Sequence, residues 1–118
     1  MPEIYQVVGQ TVGTAAITTY ATWVTVPSAT TYVLSTLLIC NTAASSATYS
    51  IAIQKTSDDS YSSSSTPAAK DWIIKGAAIP ASDTITLTIG LTLGATRVIK
   101  VASSAVTITF AAFGAVIT

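Results

Sequence analysis

The chain has 118 residues, half of them apolar and only 8% charged, with five acids balancing five bases and no histidine. That balance excludes a histidine-dependent enzyme, offers no basic surplus to a nucleic acid, and is too apolar for a disordered tail. Thr, Ile and Val contribute 21, 13 and 10 residues, 44 in all, and β-branched side chains favour strands over helices.

The first predicted element is Ile4–Val8, within an extended N-terminal arm or edge strand spanning residues 1–14. Its start has neither a basic nor a continuous apolar segment, which argues against a signal peptide. The next strand is Tyr20 to Val26. Alternation places Tyr20, Thr22, Val24 and Val26 on its core face and turns Trp23 outward. Leu37-Leu38-Ile39-Cys40 is apolar at every position, as in a strand covered on both faces or one with an interface on its outer side. Thr48–Gln54 puts Tyr49, Ile51 and Ile53 on one face.

Residues 56–69 form a Ser-rich, low-complexity stretch, predicted to be a mobile surface loop within a single domain that spans 15–118. Asp71–Lys75 is a further short strand. Asp83–Ile89 gives the clearest alternation, with Ile85, Leu87 and Ile89 opposite Thr84, Thr86 and Thr88. Gly90 to Thr96 reads as a turn. Arg97–Val101 follows, with Ile99 and Val101 inward, or else Val98. Val106, Ile108 and Phe110 oppose Thr107 and Thr109 in the last strand. The uncharged run from Val101 to Thr118 alternates and is interrupted by Ser and Thr, so it reads as a strand, not a spanning helix. Val26-Pro27-Ser28-Ala29-Thr30-Thr31 is echoed by Ile79-Pro80-Ala81-Ser82-Asp83-Thr84, which predicts two similar turns entering two similar strands. About eight short strands and no helix define an all-β fold: a single antiparallel β-sandwich, either a jelly roll or a Greek-key, immunoglobulin-like arrangement.

Chemical motifs are sparse. A serine nucleophile has no histidine base, and no Ser-x-x-Lys spacing joins a serine to Lys55, Lys70, Lys75 or Lys100. Cys40 is the only cysteine, so no disulfide forms within the chain, and its apolar strand suits a buried thiol. No zinc set exists. Asp58, Asp59, Ser60, Ser62 and Asp71 supply oxygens without an EF-hand pattern, and the adjacent acids read as solvated. Gly90 and Gly94 suit bends better than a phosphate cradle. No metal, cofactor or catalytic residue is therefore assigned, and no membrane or nucleic-acid partner is expected.

The unusual feature is charge distribution. From Ile4 through Gln54 there are 51 consecutive uncharged residues. A Thr-, Ser- and Ala-coated sheet is cheap to cover, because no ion loses its hydration, and edges without lysine invite pairing. The pattern points to a subunit of a larger assembly.

Specific stretches strengthen that reading. Tyr20…Val24-Thr25-Val26-Pro27, then Thr31 and Val33 to Thr42, resembles small virion structural proteins of tailed bacteriophages. Ile79-Pro80…Asp83-Thr84, Gly90 to Leu93, Val98 to Val101 and Ile108 to Gly114 are similar too. Ala95-Thr96-Arg97 departs from the pattern, where an acidic turn residue is expected. The resemblance covers Tyr20 to Thr118 and implies a non-enzymatic β-sandwich built into a virion assembled in the host cytoplasm. It would be a capsid decoration or cement protein, a dimer or trimer of itself bound to a major capsid or other virion protein. A tail, neck or fibre-tip component is the alternative. A carbohydrate-binding module is a second, with Trp23, Tyr61 or Trp72 as the sugar platform. The same three aromatic residues are the candidate interface positions.

Overall fold

The structure, a computed structural model, describes residues 3–14, 16, 20–55, 71–88 and 90–118. These form strands β1 (Glu3–Val12), β2 (Ala21–Thr25), β3 (Thr31–Asn41), β4 (Ala47–Lys55), β5 (Trp72–Ile79), β6 (Thr84–Leu87), β7 (Leu91–Leu93), β8 (Arg97–Ser103) and β9 (Ile108–Ile117). All pairings are antiparallel, in two sheets. Sheet A runs β1-β9-β3-β6, with β7 also on β3, and sheet B runs β2-β8-β4-β5.

β6 and β7 are one edge strand broken in the middle. Leu87 stands opposite Leu37 and Leu91 opposite Leu34, so four steps on the broken strand span three on β3. The interruption is absorbed at Gly90, whose φ of +58° favours a residue without Cβ. With that strand counted once, eight strands pair first with last, second with seventh, third with sixth and fourth with fifth. That is the winding of a jelly roll, which decides between the two sandwich topologies that the sequence leaves open. The sequence reading takes Gly90 to Thr96 as a turn; β7 corrects it, since three residues between two glycines are too few to show a period.

The core lies between the sheets. Leu34, Leu37, Ile39, Ile108, Phe110 and Ala112 of sheet A meet Val24, Tyr49, Ile51, Ile99 and Val101 of sheet B. Of the inward positions expected for β4, β6 and β8, Tyr49, Ile51, Ile99 and Val101 are buried, and Ile53, Ile85 and Leu87 pack partly against the core, while Ile89 lies outside the described residues. β3 is covered on one side only. Leu37 and Ile39 are buried, whereas Leu38 and Cys40 are half-exposed on the outer side. Val106 departs from expectation: the chain turns at 104–107, and Val106 is 59% exposed.

The sequence echo is a structural echo. Ala29 and Ser82, each two residues after a proline, both take left-handed φ, 55° and 53°. The two turns deliver the chain into β3 and β6, which are paired neighbours.

Candidate functional site: two sheet exteriors of opposite character

Of the two aromatic candidates among the described residues, Trp72 is half-buried and Trp23 is buried. Trp23 is 5% exposed, buried in the core, which corrects its outward placement. The cause is a bulge: the β2–β8 register slips between Thr22 and Val24. The extra residue resets alternation, so both Trp23 and Val24 turn inward and Thr22 is exposed. The Trp23 ring lies 5.2 Å from that of Phe110, and Nε1 donates to the Gly9 carbonyl oxygen at 3.2 Å. Tyr61 and the 56–69 segment lie outside the described residues, as do Asp58, Asp59, Ser60 and Ser62.

Trp72 belongs to the outer face of sheet B. The registers place Thr22, Lys100, Ala52 and Trp72 in one row across its four strands. Small Ala52 at the middle of that row leaves room above the sheet. Trp72, from one edge, meets Tyr20, beside the other, with ring centroids 5.8 Å apart. Lys75 Nζ sits 5.2 Å from the Trp72 ring centroid, a cation–π contact.

Along its two central strands, β4 and β8, the outer face of sheet B is dry. Ser50, Ala52, Gln54, Val98, Lys100 and Ala102 alternate with the core residues, yet none is more than 1% exposed. Gln54 Nε2 donates to Asp71 Oδ2 at 3.4 Å, and Gln54 Oε1 is buried without a partner. Ser50 Oγ accepts from the Gly76 amide at 2.9 Å. Burial pushes the Lys100 ammonium below its usual range, while the negative charge of Asp71 pulls the other way. Burial likewise raises the Tyr49 phenol. In the sequence Lys100 is simply one of four lysines; the apolar neighbours Ile99 and Val101 are the one local sign that it lies in a central strand.

The outer face of sheet A is different. Val12, Thr109, Cys40 and Thr84 form one row across its four strands, and Gln10, Ala111, Leu38 and Thr86 form the next. All eight are partly or fully exposed, and none is charged. Val7, Phe113 and Thr36 continue the face. An open depression of about 310 Å³ lies along β1 and β9, lined by Gln10, Thr11, Val12, Thr109, Phe110 and Ala111. The sequence shows that, apart from Glu3, these strands carry no charge; it does not show which exterior stays open.

Compared with protein-family models, curated proteins and solved structures, the chain matches none significantly.

Proposed function

We propose that this protein is a non-enzymatic virion subunit of the tailed-bacteriophage type, a decoration or cement protein that binds the outside of a capsid shell. The observation that carries the reading is the outer face of sheet A: four strands wide, uncharged along its rows from Val12 to Thr84 and from Gln10 to Thr86, and open to solvent in the single chain. Thr, Ala, Val and Gln on that face lose little hydration when another subunit covers them. The strand sequences from Tyr20 to Thr118 that resemble virion proteins supply the setting, and the jelly roll suits a compact unit repeated over a shell.

The subunit would lay this face on a major capsid protein and brace neighbouring capsomers. The sugar-platform alternative is weakened by the burial of Trp23, while the Trp72 ring faces Tyr20 and Lys75.

The test is a count on the particle. Mass spectrometry of density-purified particles from the source should find this chain at a copy number comparable to that of the shell protein. A few copies per particle would move it to the tail or neck. Its absence from particles would overturn the proposal.

A further inference from the structure

The edge of sheet A carries an observation of its own. Each sheet of a sandwich has two edges, and three of the four here are blunted. β2 is five residues long and bulged. β5 slips register twice, and exposes Lys75 and Gly76. β6 ends at Leu87 and β7 begins only at Leu91, so neither is longer than four residues. These are the devices that keep strand edges from pairing with other chains. β1 is ten residues long and carries no lysine; among the described strands it pairs with β9 alone, and its single register slip, between Val7 and Gly9, leaves Glu3–Val7 in regular pairing.

The edge of β1 is not open along its whole length. At Gly9 the strand closes against β2: a Cβ there would lie 2.8 Å from the Trp23 carbonyl oxygen, and Trp23 Nε1 caps the Gly9 carbonyl. Residues 3–8 lie beyond that closure. Gln6 lies on the row of core residue Leu34, through Gly114, and Ile4 shares its side of the strand. Both are nonetheless exposed, Ile4 by 56%. Sheet B does not reach them. Ile4, Val7 and Val12 are three of the five exposed large apolar side chains among the described residues.

We infer that the Ile4–Val8 edge of β1 pairs with the same edge of a second copy, antiparallel across a two-fold axis at Gln6, joining two A sheets into one continuous sheet. An axis there sets Gln6 against its twin and Tyr5 against Val7, all short of the register slip. The only charged residue of β1, Glu3, falls at the register position of Gly9, so no like charges meet. A two-fold contact must be self-complementary, and this strand is so in charge as well as in backbone hydrogen bonding. The inference deepens the assembly reading by naming one contact, and its outcome is separable from that reading.

The experiment is sedimentation velocity on the full-length chain, with a cross-linking arm. The wild type should run as a dimer, twice the 12.1 kDa chain mass. Ile4→Lys with Val7→Lys should run as a monomer with an unchanged melting temperature. Val106→Lys, equally exposed but away from any edge, should stay dimeric. In a Cys40→Ser background, Gln6→Cys should give a disulfide-linked dimer under mild oxidation. A monomeric wild type, an odd-numbered assembly, or a dimer in which Gln6→Cys fails to cross-link would overturn the inference. Should the double lysine variant fail to fold, the Gln6→Cys result decides. A monomer abundant on particles removes the edge pairing and keeps the virion role; a dimer absent from particles does the reverse.

Discussion

Trp23 gives its indole N–H to the carbonyl oxygen of Gly9 across 3.2 Å, and that bond ties the edge of one sheet to the edge of the other. The approach is close because Gly9 lacks a side chain: a Cβ would stand 2.8 Å from the Trp23 carbonyl oxygen and 2.9 Å from Val24 Cγ2. Backbone cannot yield as a flexible side chain can. Gly9→Ala should therefore lower the unfolding free energy by about 1–3 kcal/mol, the usual cost of overpacking. Trp23→Phe, which keeps a ring against Phe110, should cost less than Trp23→Ala, whose loss is about 3–5 kcal/mol. Urea denaturation of the three variants checks the order.

A second clasp holds the end of β1 to the end of β8. The Thr14 amide donates to Ser103 Oγ at 2.8 Å, and the Ser103 amide donates to Thr14 Oγ1 at 2.9 Å. Each hydroxyl thus satisfies the other residue's buried backbone donor. Thr14→Val keeps the shape and removes the acceptor, which strands the Ser103 amide. The expected loss is about 1–3 kcal/mol, read by the same denaturation. An unchanged midpoint would show that the segment after β1 contributes nothing to the fold.

Lys100 makes stability depend on pH in a defined direction. Burial lowers its folded-state pKa below the unfolded value of 10.5. Between those two values the unfolded chain binds more protons, so stability rises with pH and the gain is complete at the unfolded pKa. Tyr49 acts oppositely: its raised pKa means stability falls once pH passes 10. Wild-type unfolding free energy should therefore increase with pH as pH approaches 10 from below. Lys100→Met should flatten that increase and lower stability at pH 7, because it takes away a positive charge that acts on the buried Asp71 carboxylate. A variant slope equal to the wild type would place the titration elsewhere.

Much of the fold is readable from local pattern, and the exceptions have local causes. Thr84 to Leu87 alternates cleanly because β6 is regular and has one wet face. The repeated Pro-x-x turn is readable because proline fixes one φ and the third residue takes the left-handed region in both copies. Trp23 misleads because a bulge spends one residue without advancing the register, and alternation carries no mark of where a bulge will fall. The dry exterior of sheet B is invisible for another reason. Ser50, Gln54 and Lys100 occupy positions that alternation assigns to solvent, and only the tertiary structure withdraws them from it. The open exterior of sheet A is half-legible: its lack of charge is in the sequence, but the uncharged run of 51 residues also feeds β2 and β4 of sheet B.

The assembly reading therefore rests on which face remains uncovered, and a single charge tests it. Ala111 lies near the middle of the sheet A exterior, between Gln10 and Leu38 in register, and is partly exposed in the isolated chain. Ala111→Lys places an ammonium where water reaches it in the free subunit, so stability should change by no more than about 0.5 kcal/mol. Once the face is covered, the same ammonium has no counter-ion on its own strand or on the neighbouring Gln10 and Leu38, and burying it costs several kcal/mol. Binding of the purified variant to particles stripped of the protein should fall by at least about tenfold, the equivalent of 1.4 kcal/mol. Ser28→Lys, on the exposed turn before β3, should bind as the wild type does. The edge pairing at Gln6 should survive Ala111→Lys, because that residue projects from the face and not from the β1 edge. Full binding by Ala111→Lys with loss in Ser28→Lys would move the shell-facing surface to the turns at the end of the sandwich.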